Sequence, residues 1–120
     1  MRSDVRACAA YVAMRLISGR DASAVYDYSV SGYVSIDGPI TATNVDVYDY
    51  SRGAHFGGNG SGGRFSLYDY GHSHHIDLQI SGNNYEGYDY GSSCHFSGTV
   101  NGTSTSLYDY GSSGYFDYSL

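Results

Sequence analysis

The 120-residue sequence has no tryptophan and no lysine, and it contains only one proline and two cysteines. Leucine, isoleucine, valine and phenylalanine together supply 22 residues, which is few for an ordinary aliphatic core. Combined with high charge, this deficit would indicate disorder, but charged residues make up only 15% of the chain. The 15 tyrosines must therefore serve as the main apolar residues, and their hydroxyl groups need hydrogen-bond partners wherever the rings are buried.

Basic residues are scarce and unevenly placed along the chain. Residues 1–25 carry a net charge of +2 and residues 26–120 carry −8, which gives −6 overall. An acidic body with only two arginines is a poor surface for phosphate backbones, so no nucleic-acid partner is expected. The asymmetry favours head-to-tail contact between copies of the chain.

Long apolar runs and targeting signals are also missing. No run approaches the roughly 20 residues of a membrane helix, so no membrane span is expected. The apolar run Ala7–Met14 lies between Asp4 and Arg15, which makes a poor signal peptide and favours a cytoplasmic location, with an extracellular fibre as the alternative. Cys8 and Cys94 form no CxxC motif, and the sequence leaves open whether they are separate buried thiols or a disulfide.

Residues 1–20 predict an amphipathic helix that covers residues 3–18. Apolar side chains recur at three- and four-residue steps from Val5 to Leu16. Ser3 is a candidate N-cap, and Gly19 is a natural stop at the C-terminal end. One side of this helix must be buried against the rest of the chain.

Residues 26–120 consist of five repeats of about 20 residues. The motif Tyr-Asp-Tyr recurs at 26–28, 48–50, 68–70, 88–90 and 108–110. Each repeat also contains two turn signals, one after Tyr-Asp-Tyr and one at a glycine-containing dipeptide such as Asn101-Gly102. The chain 1–120 is therefore predicted to be a single, mainly β domain in which the helix precedes about nine or ten short strands.

Two topologies share this period, an antiparallel β-meander and a parallel β-solenoid with 20-residue coils. In a solenoid the motif aspartates would stack about 4.8 Å apart, which costs about 3.5 kcal/mol per neighbouring pair, and the meander halves this repulsion. The meander is therefore favoured. It must bury one face by curling into a barrel, by packing on the helix or by pairing with another subunit.

Side-chain alternation divides the predicted sheet into two faces. Traced through a two-residue Asn101-Gly102 turn, the last full hairpin pairs Phe96 with Leu107 and His95 with Tyr108. The face with Phe96, Leu107 and the motif aspartates is expected to receive the helix. Helix-to-sheet ion pairs are expected from Arg6, Arg15 and Arg20 to Asp49, Asp69 and Asp89.

The opposite face is rich in tyrosine, which makes it a candidate surface for self-association or for a ligand. Its members from the last four repeats are Tyr48, Tyr50, Tyr68, Tyr70, Tyr88, Tyr90, Tyr108 and Tyr110.

Histidines are the only residues that suggest a metal site, and they are His55, His72, His74, His75 and His95. Imidazoles on neighbouring strands can chelate Zn²⁺, Ni²⁺ or Cu²⁺. However, Tyr33 and Tyr115 occupy the same repeat position as three of these histidines, which favours a structural role, and no cofactor is expected. The sequence contains no nucleophile elbow, phosphate loop or dinucleotide fingerprint, so no enzymatic activity is predicted.

The repeats Ser-Leu-Tyr-Asp-Tyr-Gly at 66–71 and 106–111 resemble those of a group of short bacterial proteins of unassigned function. The resemblance extends to the segment at 6–10 and to the ending at 115–120, and it implies a bacterial source without implying an activity or site residues. A looser likeness to curli-type amyloid repeats rests on the period and on the Gly/Ser/Tyr content, but the Gln/Asn ladders of those repeats are absent.

These observations lead to two functional hypotheses. The first is a non-enzymatic structural protein whose β-repeats self-assemble into a homo-oligomer or filament. The alternative is a binding module that presents a Tyr/His/Asp face to a glycan, a small aromatic ligand or a metal ion.

Overall fold

A single helix and ten antiparallel strands make up the computed structural model, which describes all of residues 1–120. The elements are α1 (Ser3–Ser18), β1 (Ala24–Asp27), β2 (Gly32–Asp37), β3 (Asn44–Asp49), β4 (Ala54–Ser61), β5 (Arg64–Asp69), β6 (His74–Ser81), β7 (Asn84–Asp89), β8 (Cys94–Asn101), β9 (Ser104–Asp109) and β10 (Gly114–Ser119). Consecutive strands pair with one another, and β10 closes the barrel by pairing with β1. The antiparallel meander is confirmed, and the solenoid alternative is wrong.

The ends of α1 agree only in part with the sequence signals. Gly19 ends the helix as predicted, because it adopts φ 70° and its N–H donates to the carbonyl of Arg15 (3.0 Å). The predicted N-cap is wrong, since Ser3 already belongs to the helix and Arg2 precedes it without a side-chain cap. At this end of the helix the Asp4 carboxylate binds a free backbone N–H instead, because Asp4 Oδ1 accepts the N–H of Val5 (2.7 Å).

The helix is buried on all sides rather than on one. Every residue from Val5 to Met14 is buried, and α1 contacts strands on opposite sides of the barrel, including β1, β6 and β8. The predicted helix is present, but its burial is not confined to one side, because the sheet curls completely around it, as in the barrel alternative of the sequence analysis. No helix in the structure combines the length and the hydropathy needed to cross a membrane.

The inner faces of the strands supply the rest of the core. Phe56, Leu67, Ile76, Phe96 and Leu107 are fully buried and belong to the same apolar cluster as the helix. Burial alternates along most strands, as in β5, where Phe65, Leu67 and Asp69 are buried. The prediction that the aliphatic, phenylalanine and aspartate face receives the helix agrees with this arrangement.

The strand register differs from the sequence prediction by two residues. Gly98 pairs with Leu107 and Val100 with Thr105, so the hairpin loop is Gly102-Thr103 instead of Asn101-Gly102. Gly102 has φ 61°, which suits the first central position of a type II′ turn. Because side chains alternate with a period of two, a shift of two residues leaves every residue on its predicted face.

Candidate functional site

Aromatic rings encircle the outer surface of the barrel near the ends of the odd-numbered strands. Within each Tyr-Asp-Tyr motif the aspartate points inward and both tyrosines point outward. The first tyrosine of each motif contacts the second, and also a ring on the following strand, in edge-to-face geometry with centroids 4.7 to 4.9 Å apart. We call these rings the aromatic belt, and they are Tyr26, Tyr28, Tyr33, Tyr48, Tyr50, His55, Tyr68, Tyr70, His75, Tyr88, Tyr90, His95, Tyr108, Tyr110 and Tyr115.

The second tyrosine of each motif is the exposed one. Its exposed fraction ranges from 54% at Tyr90 to 64% at Tyr50, whereas the first tyrosines are half-buried. Neighbouring repeats are joined along the belt, because the N–H of Tyr70 donates to the carbonyl of His55 (3.1 Å). Tyr90 and Tyr110 donate in the same way to the carbonyls of His75 and His95. The eight tyrosines predicted to share a face therefore do so, and their role in binding stays a prediction.

One belt hydroxyl is held by the neighbouring strand. Tyr90 Oη donates to Asp77 Oδ2 (2.9 Å), and this hydrogen bond, with the negative charge of Asp77, raises the pKa of Tyr90. The ring therefore lies along the outer wall of the barrel and is kept in its neutral form.

The five histidines are not gathered into a metal site. His55, His75 and His95 lie on the outside, each against the first tyrosine of its own repeat. His74 lies on the inner face, because it precedes His75 on a strand, and its ring stacks on His72 with centroids 5.9 Å apart. No group of three or more His, Cys, Asp or Glu side chains is placed to hold a metal ion.

A second chemical feature lies inside the barrel, where the motif aspartates form what we call the carboxylate ring. Its members, Asp27, Asp49, Asp69, Asp89 and Asp109, are at most 1% exposed. Each Oδ1 accepts the backbone N–H two residues later, at 2.9 to 3.2 Å, which is the geometry of an Asx turn. The motif aspartate therefore shapes the loop that joins its strand to the next.

Arg52 bridges two members of the carboxylate ring. Its Nε lies 2.8 Å from Asp49 Oδ2, and its Nη2 lies 2.8 Å from Asp69 Oδ1. Burial lowers the pKa of Arg52, but the hydrogen bonds to Asp69 and Asp49 outweigh this effect, so the net shift is upward. The sequence analysis did not identify Arg52, although its position three residues after Asp49 indicates an ion pair with that aspartate.

The predicted partners of the helix arginines are wrong. Arg6 Nη1 pairs with Asp109 Oδ2 (3.1 Å), which also accepts a bond from the Met1 ammonium group (3.1 Å). Arg15 pairs with Asp21 (3.1 Å) and donates to the carbonyl of Gly38 (2.6 Å).

Arg20 forms no ion pair with an acidic residue. The direction of the helix explains the partners of Arg6 and Arg15. Because α1 runs through the barrel, Arg6 reaches the carboxylate ring while Arg15 lies near the other end of the helix. Arg6 is therefore neutralised inside the barrel and Arg15 by Asp21, whereas Arg2 and Arg20 remain exposed. The expectation of head-to-tail contact based on charge stays a prediction.

Both cysteines are buried, unpaired and next to the carboxylate ring. Cys8 Sγ lies 3.6 Å from Asp49 Oδ2, and Cys94 Sγ lies 3.7 Å from Asp109 Oδ1. Burial raises the pKa of both thiols, with a further rise from the adjacent carboxylates. The thiols are therefore held in the protonated form, which is a poor nucleophile.

No protein-family model, curated protein sequence or solved structure significantly matches the chain. The resemblance to short bacterial repeat proteins accordingly stays a prediction.

Proposed function

We propose that the protein is a non-enzymatic structural protein that forms a homo-oligomer through the aromatic belt. The observation that supports this proposal is the exposure of seven belt tyrosines by more than half of their surface, and they are Tyr28, Tyr33, Tyr50, Tyr70, Tyr90, Tyr110 and Tyr115. Isolated exposed rings are ordinary, but soluble monomers rarely present a large contiguous apolar patch, and such patches mark association surfaces. The filled lumen leaves the outer wall as the available surface.

The closed barrel supports a discrete oligomer over a filament built by strand addition. Every strand has a partner along at least part of both sides, so no strand offers a full free edge to a second chain. Association must therefore use side chains. A two-fold contact, in which the same patch is used by both copies, is the commonest solution for homo-oligomers.

The distribution of charge on the outer wall supports the belt as the contact surface. The belt consists of tyrosine and histidine, and Asp77 at its margin is already bound by Tyr90 Oη. The wall beyond the belt exposes Asp46, Glu86 and Asp117, with Arg64 as the one exposed basic residue on a strand. Two walls placed side by side would bring like charges together. A contact that overlaps only the belts keeps these acids apart.

The geometry of the belt also suits association. Each exposed tyrosine is already held by an edge-to-face contact with its neighbour, as Tyr70 is by Tyr68 (4.8 Å). Ordered rings lose little conformational freedom when a partner covers them, and tyrosine offers a large contact area with a polar tip. The association free energy is therefore expected to come from ring burial.

Sedimentation velocity at increasing protein concentration tests the proposal. The unmodified chain should sediment as a dimer or larger oligomer, and the triple variant Tyr28→Ser, Tyr50→Ser, Tyr70→Ser should be monomeric because three of the five exposed second tyrosines are removed. The control Ser66→Ala, Ser104→Ala changes exposed wall residues and should leave the oligomer intact. A folded unmodified chain that remains monomeric at the highest concentration would refute the proposal.

A further inference from the structure

A groove of about 930 Å³ crosses the outer wall from β6 to β10. Its residues form one cross-strand row in which each is the direct partner of the next, namely Gln79, Glu86, Ser97, Tyr108 and Tyr115. At about 4.8 Å between strands, this row extends over roughly 19 Å. Ser97, the smallest side chain of the row, lies between Glu86 and Tyr108.

One side of the groove is a preorganised aromatic surface. Tyr108 contacts both Tyr110 and Tyr115 edge to face, each at 4.7 Å between centroids. Tyr110 and Tyr115 are 55% and 71% exposed, and Tyr110 Oη lies 3.5 Å from Ser97 Oγ. Exposed rings fixed in this way can stack against the C–H face of a sugar ring.

The other side of the groove is polar and hydrogen-bonding. The Gln79 amide lies opposite the Glu86 carboxylate, and the Asn84 amide is oriented by Thr99, whose Oγ1 donates to Asn84 Oδ1 (2.7 Å). This set supplies donors and acceptors together, as vicinal hydroxyl groups require. A purely aromatic ligand would leave these polar groups unpaired, which is costly.

Charge and length define the ligand further. Glu86 is the only charged residue that lines the groove, so phosphate, sulfate and uronate groups would be repelled. A neighbouring groove of about 910 Å³ over β4 to β8 shares Gln79, Glu86, Ser97 and Tyr110 with the first, and the shared residues join the two into one longer trough. The second groove adds Asp77 and Arg64, which carry opposite charges, so the trough as a whole keeps the net charge of −1 that Glu86 gives the first groove. We propose that this trough binds a neutral oligosaccharide. The inference does not depend on self-association through the belt.

Glycan-array binding followed by calorimetric titration tests the inference. The array carries neutral gluco-, manno- and galacto-oligosaccharides beside their sulfated and amino-substituted counterparts. At least one neutral series should bind, and Tyr115→Ser or Glu86→Gln should each weaken binding by about tenfold, the loss expected for one stacking surface or one charged hydrogen bond. The measurements are made in the Tyr28→Ser, Tyr50→Ser, Tyr70→Ser background, so that self-association cannot cover the groove.

Matched controls separate the groove from general effects of substitution. Tyr33→Ser removes a ring at the same repeat position and of similar exposure to Tyr115 (74% and 71%), but outside the trough. Asp46→Asn removes an exposed wall carboxylate that does not line it. Both should change affinity by less than about twofold. The inference is overturned if no neutral oligosaccharide binds, if only charged ones bind, or if these controls weaken binding as much as Tyr115→Ser and Glu86→Gln do.

Discussion

The buried carboxylate ring is possible because each aspartate receives hydrogen bonds from its own loop, and three also receive a cation. Asp49 and Asp69 share Arg52, and Asp109 receives both Arg6 and the Met1 ammonium group. Asp27 has no cation and instead accepts the N–H and Oγ–H of Ser29 (2.9 and 2.6 Å). A buried charge without such partners would cost several kcal/mol, so these contacts decide whether the repeat motif can fold inward.

Substitution of Arg52 tests the dependence of the ring on its cation. Arg52→Met keeps most of the side-chain volume but leaves Asp49 and Asp69 buried without a counter-charge, so unfolding free energy should fall by about 3 kcal/mol. Arg64→Met, on the exposed wall, should change it by less than about 0.5 kcal/mol. Equal effects of the two substitutions in chemical denaturation would contradict this account.

Asp109 should make stability depend on acid pH. Burial opposes ionisation, but hydrogen bonds from the Met1 ammonium group, Ser112 and the Gly111 N–H hold the pKa of Asp109 below its ordinary value of 3.8. Its stabilising contribution is therefore fully present above pH 3.8 and is lost as the pH falls through the lower, folded-state pKa.

The variant Asp109→Asn lacks this contribution. It should be less stable than the unmodified chain at neutral pH and lose less stability between about pH 4 and pH 2. Asp46→Asn, on the exposed wall, is the control and should follow the unmodified chain. Parallel curves of stability against pH for the Asp109→Asn variant and the unmodified chain would argue against the proposed shift.

At the scale of elements, the loops that follow Tyr-Asp-Tyr share one backbone design. In all five loops the residue immediately before the next strand has a positive φ, which ranges from 51° at Ser31 to 67° at Gly53. Glycine accepts this left-handed conformation without strain, whereas serine does not. Four of the five loops nevertheless have serine there, which identifies a place where the fold can be stabilised.

Ser93→Gly should raise the free energy of unfolding by about 0.5 kcal/mol. Glycine relieves the strain of the left-handed conformation in the folded state, and this gain slightly exceeds the cost of the greater conformational entropy that glycine gives the unfolded chain. The reverse change, Gly53→Ser, should destabilise by a similar amount. Ser92→Gly is the control, since Ser92 lacks positive φ and its Oγ donates to Asp89 (2.9 Å), so this variant should lose stability. Thermal denaturation of the three variants distinguishes strain from a general effect of glycine.

At the scale of the whole molecule, the structure depends on a narrow helix that fits within the barrel. Ala7, Ala9, Ala10 and Ala13 are buried and place little volume around the helix axis, so strands can approach it from several sides. Interiors pack as densely as organic crystals, which leaves little room for larger side chains. The size of the helix residues is therefore coupled to closure between β1 and β10.

Ala10→Leu should destabilise the protein by about 2 kcal/mol, because the added volume must push strands apart. Ala24→Leu is the matched control, since Ala24 lies on the partly exposed outer side of β1 and should tolerate the same change within about 0.5 kcal/mol. Chemical denaturation monitored by tyrosine fluorescence measures both. If Ala10→Leu proved neutral, the lumen would be less tightly filled than its burial indicates.

The repeat pattern predicted much of the fold and the composition of its surfaces. The spacing of Tyr-Asp-Tyr and the paired turn signals predicted the strand number and the meander, and alternation placed Phe96 and Leu107 inside with Tyr108 outside. These assignments survived a two-residue error in register, because an even shift preserves the face. The aromatic belt was therefore predictable as a shared face, and the histidines could be seen to occupy tyrosine positions within it.

Sequence by itself thus determined which side chains share a face and where each strand turns, since both are local properties of a chain with a two-residue alternation. Tertiary structure alone decided that the sheet closes, through pairing of Tyr26 with Ser119, and that the helix lies within it. It also decided that Arg52 bridges Asp49 and Asp69, and that the groove lies beside Tyr115. These outcomes depend on curvature, which follows from the total volume packed inside the barrel and is not encoded by any single repeat.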